Sequence, residues 1–186
     1  MPLFRKLTTA ALVALLPVAA QAQLRPSIDV ETFVQWPNIN ERYINPGMLH
    51  AGLGITTPLV RGESLSWVAS LRVMGMVSGS GENADCLVLP GKTGCWGHMD
   101  VTPRGALLTG GAYRNGPVVL QAQGGVARFE REWGGAKNAP QARVDAAFMF
   151  HRHIGLTLSA TRAWLGDHLD QSLQMSSAGL GLRWTP

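Results

Sequence analysis

Ser27-Ile28-Asp29-Val30-Glu31-Thr32-Phe33-Val34-Gln35-Trp36 alternates with a period of two. Ile28, Val30, Thr32, Val34 and Trp36 fall on one face of an extended chain, and Asp29, Glu31, Phe33 and Gln35 fall on the other. A helix would scatter these two sets around its circumference, so the stretch reads as a strand with one apolar face. The same two-residue period recurs along the rest of the chain, and no sustained 3.6-residue pattern competes with it.

Beyond a Pro37 to Pro46 loop, the second strand sets Leu49, Ala51, Leu53, Ile55 and Thr57 against His50, Gly52, Gly54 and Thr56. The third, Leu65 to Met74, sets Leu65, Trp67, Ala69, Leu71 and Val73 against Ser66, Val68, Ser70 and Arg72. In the fourth, Arg104 to Tyr113, the pairs Leu107-Leu108 and Gly110-Gly111 blur the two faces. The fifth, Val118 to Phe129, opposes Leu120, Ala122 and Val126 to Gln121 and Gln123, and Gly124-Gly125 is the expected place for a bulge. The sixth runs from Arg143 to Phe150, the seventh places Ile154, Leu156, Leu158 and Ala160 opposite Gly155, Thr157, Ser159 and Thr161, and the eighth is Ser177 to Trp184.

The connections alternate in length. Pro58 to Ser64, Arg114 to Pro117 and His151 to His153 are short, and Asn115-Gly116 is a tight-turn pair. Those from Pro37, Val77, Glu130 and Leu165 onward are each predicted at about ten residues or more, as when one rim of a membrane barrel faces the periplasm and the other the exterior. Strands of roughly 9 to 11 residues suffice to cross a bilayer when tilted.

The N-terminus explains how such a chain reaches a membrane. Arg5 and Lys6 precede an almost wholly apolar Leu7 to Ala20, and Ala20-Gln21-Ala22 has the small-x-small pattern of a cleavage site. Residues 1–22 are therefore read as a signal peptide and residues 23–186 as one barrel domain. With Arg5 and Lys6 removed from the sixteen Lys and Arg, twelve Asp and Glu leave a net charge of about +2, and no basic run points to nucleic acid. Export into an oxidising compartment predicts that the two cysteines, Cys86 and Cys95, pair, a local staple worth about 3 kcal/mol.

Alternation alone does not say whether the apolar face points inward or into lipid. The lysines beyond the leader, Lys92 and Lys137, both fall in predicted long loops, whereas a water-facing strand surface would carry several. Gly, Ser, Thr and Gln dominate the other face, sizes that fit a narrow lumen. Aromatics gather near strand ends, with Trp36, Trp133 and Trp164 by the long loops and Trp67, Tyr113, Phe150 and Trp184 by the short turns, as in two interfacial girdles. The expected fold is all-β, an eight-stranded antiparallel up-and-down transmembrane β-barrel after a cleaved signal peptide.

The final strand, Ala178-Gly179-Leu180-Gly181-Leu182-Arg183-Trp184, is similar to the aromatic-ended segment that assembly machinery reads in outer-membrane proteins. With eight strands and alternating loops, the chain resembles small bacterial outer-membrane barrels of the OmpA transmembrane-domain and OmpX kind. That family usually ends on the aromatic itself, whereas Thr185 and Pro186 follow here. The resemblance implies outer-membrane residence, with outer-membrane lipid, lipopolysaccharide and the assembly machinery as partners.

On the polar face, Asp29, Glu31 and Asp145 meet Arg72, Arg143 and Arg183, equal numbers of opposite charges that must pair when desolvated. This predicts a salt-bridged, closed lumen. Outside, the segment Cys86 to Trp96 presents Leu87, Val88, Leu89 and Trp96 around a Pro90-Gly91 turn, a candidate contact for an extracellular partner. No metal or cofactor is expected: the pair His151 and His153 and the group Asp167, His168 and Asp170 read as solvated turn and loop residues. A lipid A-modifying hydrolase needs a nucleophile beside a base, and the His-x-Ser pair of such barrel deacylases does not occur. The expectation is a structural or surface-interaction barrel, with a small channel for polar or hydrophobic solutes and a lipid A-modifying hydrolase as alternatives.

Overall fold

A computed structural model describes residues 25–39, 42–43, 48–78, 101–131, 135–168 and 171–186. Its strands are β1 (Ser27–Ile39), β2 (Arg42–Tyr43), β3 (Met48–Arg61), β4 (Leu65–Ser78), β5 (Val101–Asn115), β6 (Val118–Arg131), β7 (Gly135–Met149), β8 (Ile154–His168) and β9 (Gln171–Trp184). Strand β2 is a two-residue return on β1, pairing Asn38 with Tyr43 and Ile39 with Arg42. The other eight pair antiparallel with their sequence neighbours, and β1 pairs with β9, so the sheet closes and no barrel strand keeps a free edge.

The stagger of that closure follows from the register. Ser27 pairs with Thr56, and the row continues through Ser70, Leu108, Gly125, Gln141, Ala163 and Met175 to Pro37. One circuit therefore returns to β1 ten residues further along, a shear that tilts the strands strongly against the barrel axis. Strand β1 starts and β9 ends at the rim of the short turns, where Gly116, at φ 57°, turns β5 into β6.

Side chains obey the predicted faces through the lower two thirds of the wall. Val30, Leu53, Leu71, Val126, Val144, Leu158 and Leu182 project outward and are exposed, while Asp29, Thr56, Ser70, Arg72, Gln121, Asp145 and Arg183 are buried inside. In β5 the blurred faces resolve: Leu108 is 1% exposed and points inward, and Leu107 is 50% exposed and points outward. Trp67, Tyr113, Phe150 and Trp184 are exposed around the short-turn rim and Trp164 near the other, while Trp133 lies outside the described residues.

Three expectations change. First, Gly124-Gly125 carries no bulge, because the register of β6 against both neighbours runs through it unbroken. Those glycines answer to close packing instead: a Cβ on Gly125 would stand 2.1 Å from the Leu107 carbonyl oxygen, and one on Gly110 would stand 2.1 Å from that of Ala122. The break in register falls in β5, between Pro103 and Gly105. Second, the loops expected from Glu130 and Leu165 are largely strand, since β6 and β7 are separated only by 132–134 and β8 and β9 only by 169–170. Lys137, expected in a loop, therefore lies on β7.

Third, the inner face is not polar throughout. Toward the long-connection rim it becomes an apolar storey of Phe33, Met74, Val101, Phe129, Ala139, Ala163, Leu165, Leu173 and Met175. Over the same stretch the outer face of β5, β6, β8 and β9 turns polar, with Arg104, Arg128, Glu130, Arg162 and Gln174, whereas β1, β3 and β4 keep Val34, Leu49 and Val77 exposed there. On β6, β8 and β9 the alternation keeps its phase but its polarity inverts: below, these strands are apolar outside; above, they are apolar inside, as in a barrel standing in water.

Candidate functional site

The centre of the barrel is an ion-paired layer built from four strands. Glu31, on β1, is its hub: Arg72 from β4 donates from Nη1 to Glu31 Oε1 at 2.7 Å, and Arg143 from β7 donates from Nη2 to Oε2 at 2.5 Å and from Nη1 to Oε1 at 3.1 Å. Ser159 on β8 adds a donor to Oε2 at 3.3 Å. Strands β4 and β7 are not neighbours of β1, so these arginines reach across the lumen rather than along the wall.

Asp145 and Asp29 complete the layer. Arg143 Nε donates to Asp145 Oδ1 at 2.8 Å, and Arg72 Nη2 stands 3.5 Å from Asp29 Oδ2 and 3.8 Å from Asp145 Oδ2. Arg183 on β9 donates from Nε to Asp29 Oδ1 at 2.7 Å and from Nη2 to Gln121 Oε1 at 2.9 Å. All six charged residues are buried, with three carboxylates against three guanidiniums. In so dry a setting the neutrality matters more than any one bond, because removing a partner leaves an uncompensated charge. Side-chain hydrogen bonds extend the plug, from Gln123 Nε2 to Ser70 Oγ at 2.7 Å and between the hydroxyls of Thr56 and Ser70 at 2.8 Å.

Above this layer His50 stacks on Phe33, ring centroids 5.2 Å apart. A cavity of about 10 Å³, bounded by Phe33, Gln35, Met74, Phe129, Gln141 and Arg143, has room for roughly one water molecule. Ions thus meet a charged layer with apolar packing over it.

The six charged residues singled out in the sequence meet in one network. Cys86, Leu87, Val88, Leu89, Cys95 and Trp96 lie outside the described residues, as do Asp170 and the side chains of Asp167 and His168. His151 and His153 share the turn between β7 and β8, ring centroids 6.1 Å apart, and His153 Nδ1 contacts the Thr185 carbonyl oxygen at 2.7 Å. Among the described residues no group of three or more His, Cys, Asp or Glu could hold a metal ion. The apolar upper storey escaped the sequence reading, although Arg128-Phe129-Glu130 and Arg162-Ala163 already placed charge on the face that is greasy lower down.

The architecture is that of the small bacterial outer-membrane barrels: all-β, eight antiparallel strands, closed, with an apolar outer wall. No protein-family model matches the sequence, and no curated protein compared with it is similar. Among solved structures, Neisserial surface protein A superposes with a TM-score of 0.55 at 9% identity, covering 87% of this chain and 97% of its own. Ail, the attachment invasion locus protein of Yersinia pestis, gives 0.52 at 14% identity over 87% and 99%, and its complex with the heparin analogue sucrose octasulfate gives 0.50 at 13% identity over the same shares. OprG from Pseudomonas aeruginosa gives 0.50 at 8% identity over 87% and 96%. At such identities the likeness is one of fold.

Proposed function

We propose that this protein is a non-conducting outer-membrane barrel that serves as a structural or surface-interaction scaffold, exported by a leader at residues 1–22 and cleaved before Gln23. The observation that carries the reading is the lumen itself, crossed by Arg72 and Arg143 at Glu31 and packed above by Phe33, Met74 and Phe129. A closed lumen leaves the rim of long connections as the working part. The segment at 79–100, with Leu87, Val88, Leu89 and Trp96 held by a Cys86–Cys95 bridge, is the contact for an extracellular partner, in keeping with the attachment role in the name of Ail. Outer-membrane lipid, lipopolysaccharide and the assembly machinery are its other partners.

The test is planar-bilayer recording on protein whose insertion into lipid vesicles has been verified. The expected current is baseline for wild type. Discrete openings through correctly folded wild-type protein would refute the scaffold reading and favour a channel.

A further inference from the structure

His50 is completely buried on the inner face of β3, yet among the described residues neither of its ring nitrogens has a hydrogen-bond partner. A buried imidazole ordinarily gives its N–H to a carbonyl or a carboxylate, and the lumen carboxylates Asp29, Glu31 and Asp145 are taken by arginines in the layer below. Phe33 stacks on the ring at an interplanar angle of 14° and fixes its plane. One ring edge faces the Gly75 backbone on β4, without the geometry of a hydrogen bond.

Gly75 stands between two methionines of the inner face. Met76 is the direct cross-strand partner of His50, and Met74 is the partner of Gly52, two residues along β3 from His50. Direct partners have Cα atoms about 5 Å apart, and same-face residues of one strand about 7 Å, so both thioethers are within reach of the imidazole. Gly52 leaves space for Met74, whose Cγ would stand 3.3 Å from a Cβ at that position. The small cavity beside Met74 gives its flexible side chain room to turn. The register slips just above, from Leu49 opposite Ser78 to His50 opposite Met76, leaving Val77 as the extra residue. Met74 is buried and Met76 is 46% exposed, so the group opens toward the rim of long connections.

We propose that His50, Met74 and Met76 form a site for a soft monovalent metal ion, copper(I) in biology, held by one imidazole nitrogen and two thioether sulfurs. Thioethers select copper(I), whereas calcium and magnesium take oxygen donors and structural zinc takes thiolate, imidazole or carboxylate. All three ligands are neutral and the ion-paired layer below is balanced, so a single positive charge is taken up at less desolvation cost than a double one. The site goes beyond the scaffold reading and does not require the lumen to be closed.

The experiment is isothermal titration of silver(I), the redox-inert analogue of copper(I), into the untagged mature protein folded in neutral detergent and chloride-free buffer. Wild type should take up one tight equivalent. Met76→Leu, at the half-exposed position, and the double variant Met74→Leu/Met76→Leu conserve volume, and each should weaken binding by about tenfold or more while keeping the circular dichroism of a folded barrel. Cys86→Ser/Cys95→Ser and His151→Ala/His153→Ala should each bind like wild type, which separates this site from a thiolate pair and from the histidines of the opposite rim. X-ray absorption of the silver complex should show sulfur and nitrogen neighbours together. No tight equivalent in wild type, undiminished affinity in folded Met76→Leu, or loss of the equivalent on replacing the cysteines would overturn the proposal.

Discussion

Glu31 concentrates the cost of the closed lumen in one side chain. Its carboxylate accepts from Arg72, Arg143 and Ser159, and Glu31→Ala would leave three buried guanidiniums, Arg72, Arg143 and Arg183, against two carboxylates, Asp29 and Asp145. The expected loss is about 3 to 5 kcal/mol, read from urea unfolding in lipid vesicles. A loss below about 1 kcal/mol would mean that water already screens the layer. A steric prediction stands beside this electrostatic one. Gly125→Ala forces a methyl onto the Leu107 carbonyl and should cost roughly 1 to 3 kcal/mol, whereas Gly124→Ala, whose added carbon would stand 3.9 Å from the Gln141 carbonyl oxygen, should be close to neutral on the same assay.

Strands β6 and β8 each contain two environments, and substitutions should report which one they occupy. Leu158 on β8 lies in the apolar outer band, and Leu158→Arg should destabilise the inserted barrel by about 2 to 4 kcal/mol. Four residues on, the same face already carries Arg162. On the inner face, Phe129→Asp places a charge in the apolar upper storey, so limited proteolysis of vesicle-embedded protein should open the β6–β7 hairpin while the lower wall stays resistant. Cleavage no faster than in wild type would show that the storey contributes little. These elements also show what the sequence could and could not say. The lower strands were legible because lipid outside and charge inside sharpen a period-two pattern, so that Asp29, Arg72 and Asp145 declared their face at once. The upper ends of β7 to β9 read as loops because the pattern there reverses its polarity, and a reversal looks like an interruption when the phase is not followed through Arg162 and Ala163. The fourth strand was ambiguous for another reason: an inward Leu108 packs where most strands place a polar group, so adjacent leucines carried no sign. The bulge was misplaced because glycine marks both irregular backbone and close packing, and Gly125 serves the latter.

At the scale of the molecule, the seam between β1 and β9 joins residues as far apart as Ile28 and Trp184 and runs along twelve consecutive residues of β1. Neither edge is covered until the last fourteen residues of strand have been delivered. A chain delivered from its N-terminus cannot close its wall as it emerges: β1 waits, with its backbone unpaired on one side, for a partner that arrives last. Ending the chain before Gln171 should therefore yield aggregate rather than a seven-stranded barrel, measurable as loss of detergent-soluble, protease-resistant protein. The closure that makes the finished wall durable thus makes its delivery hazardous, and it obliges the cell to keep the unfinished polypeptide apart from its own copies until the final strand is in hand.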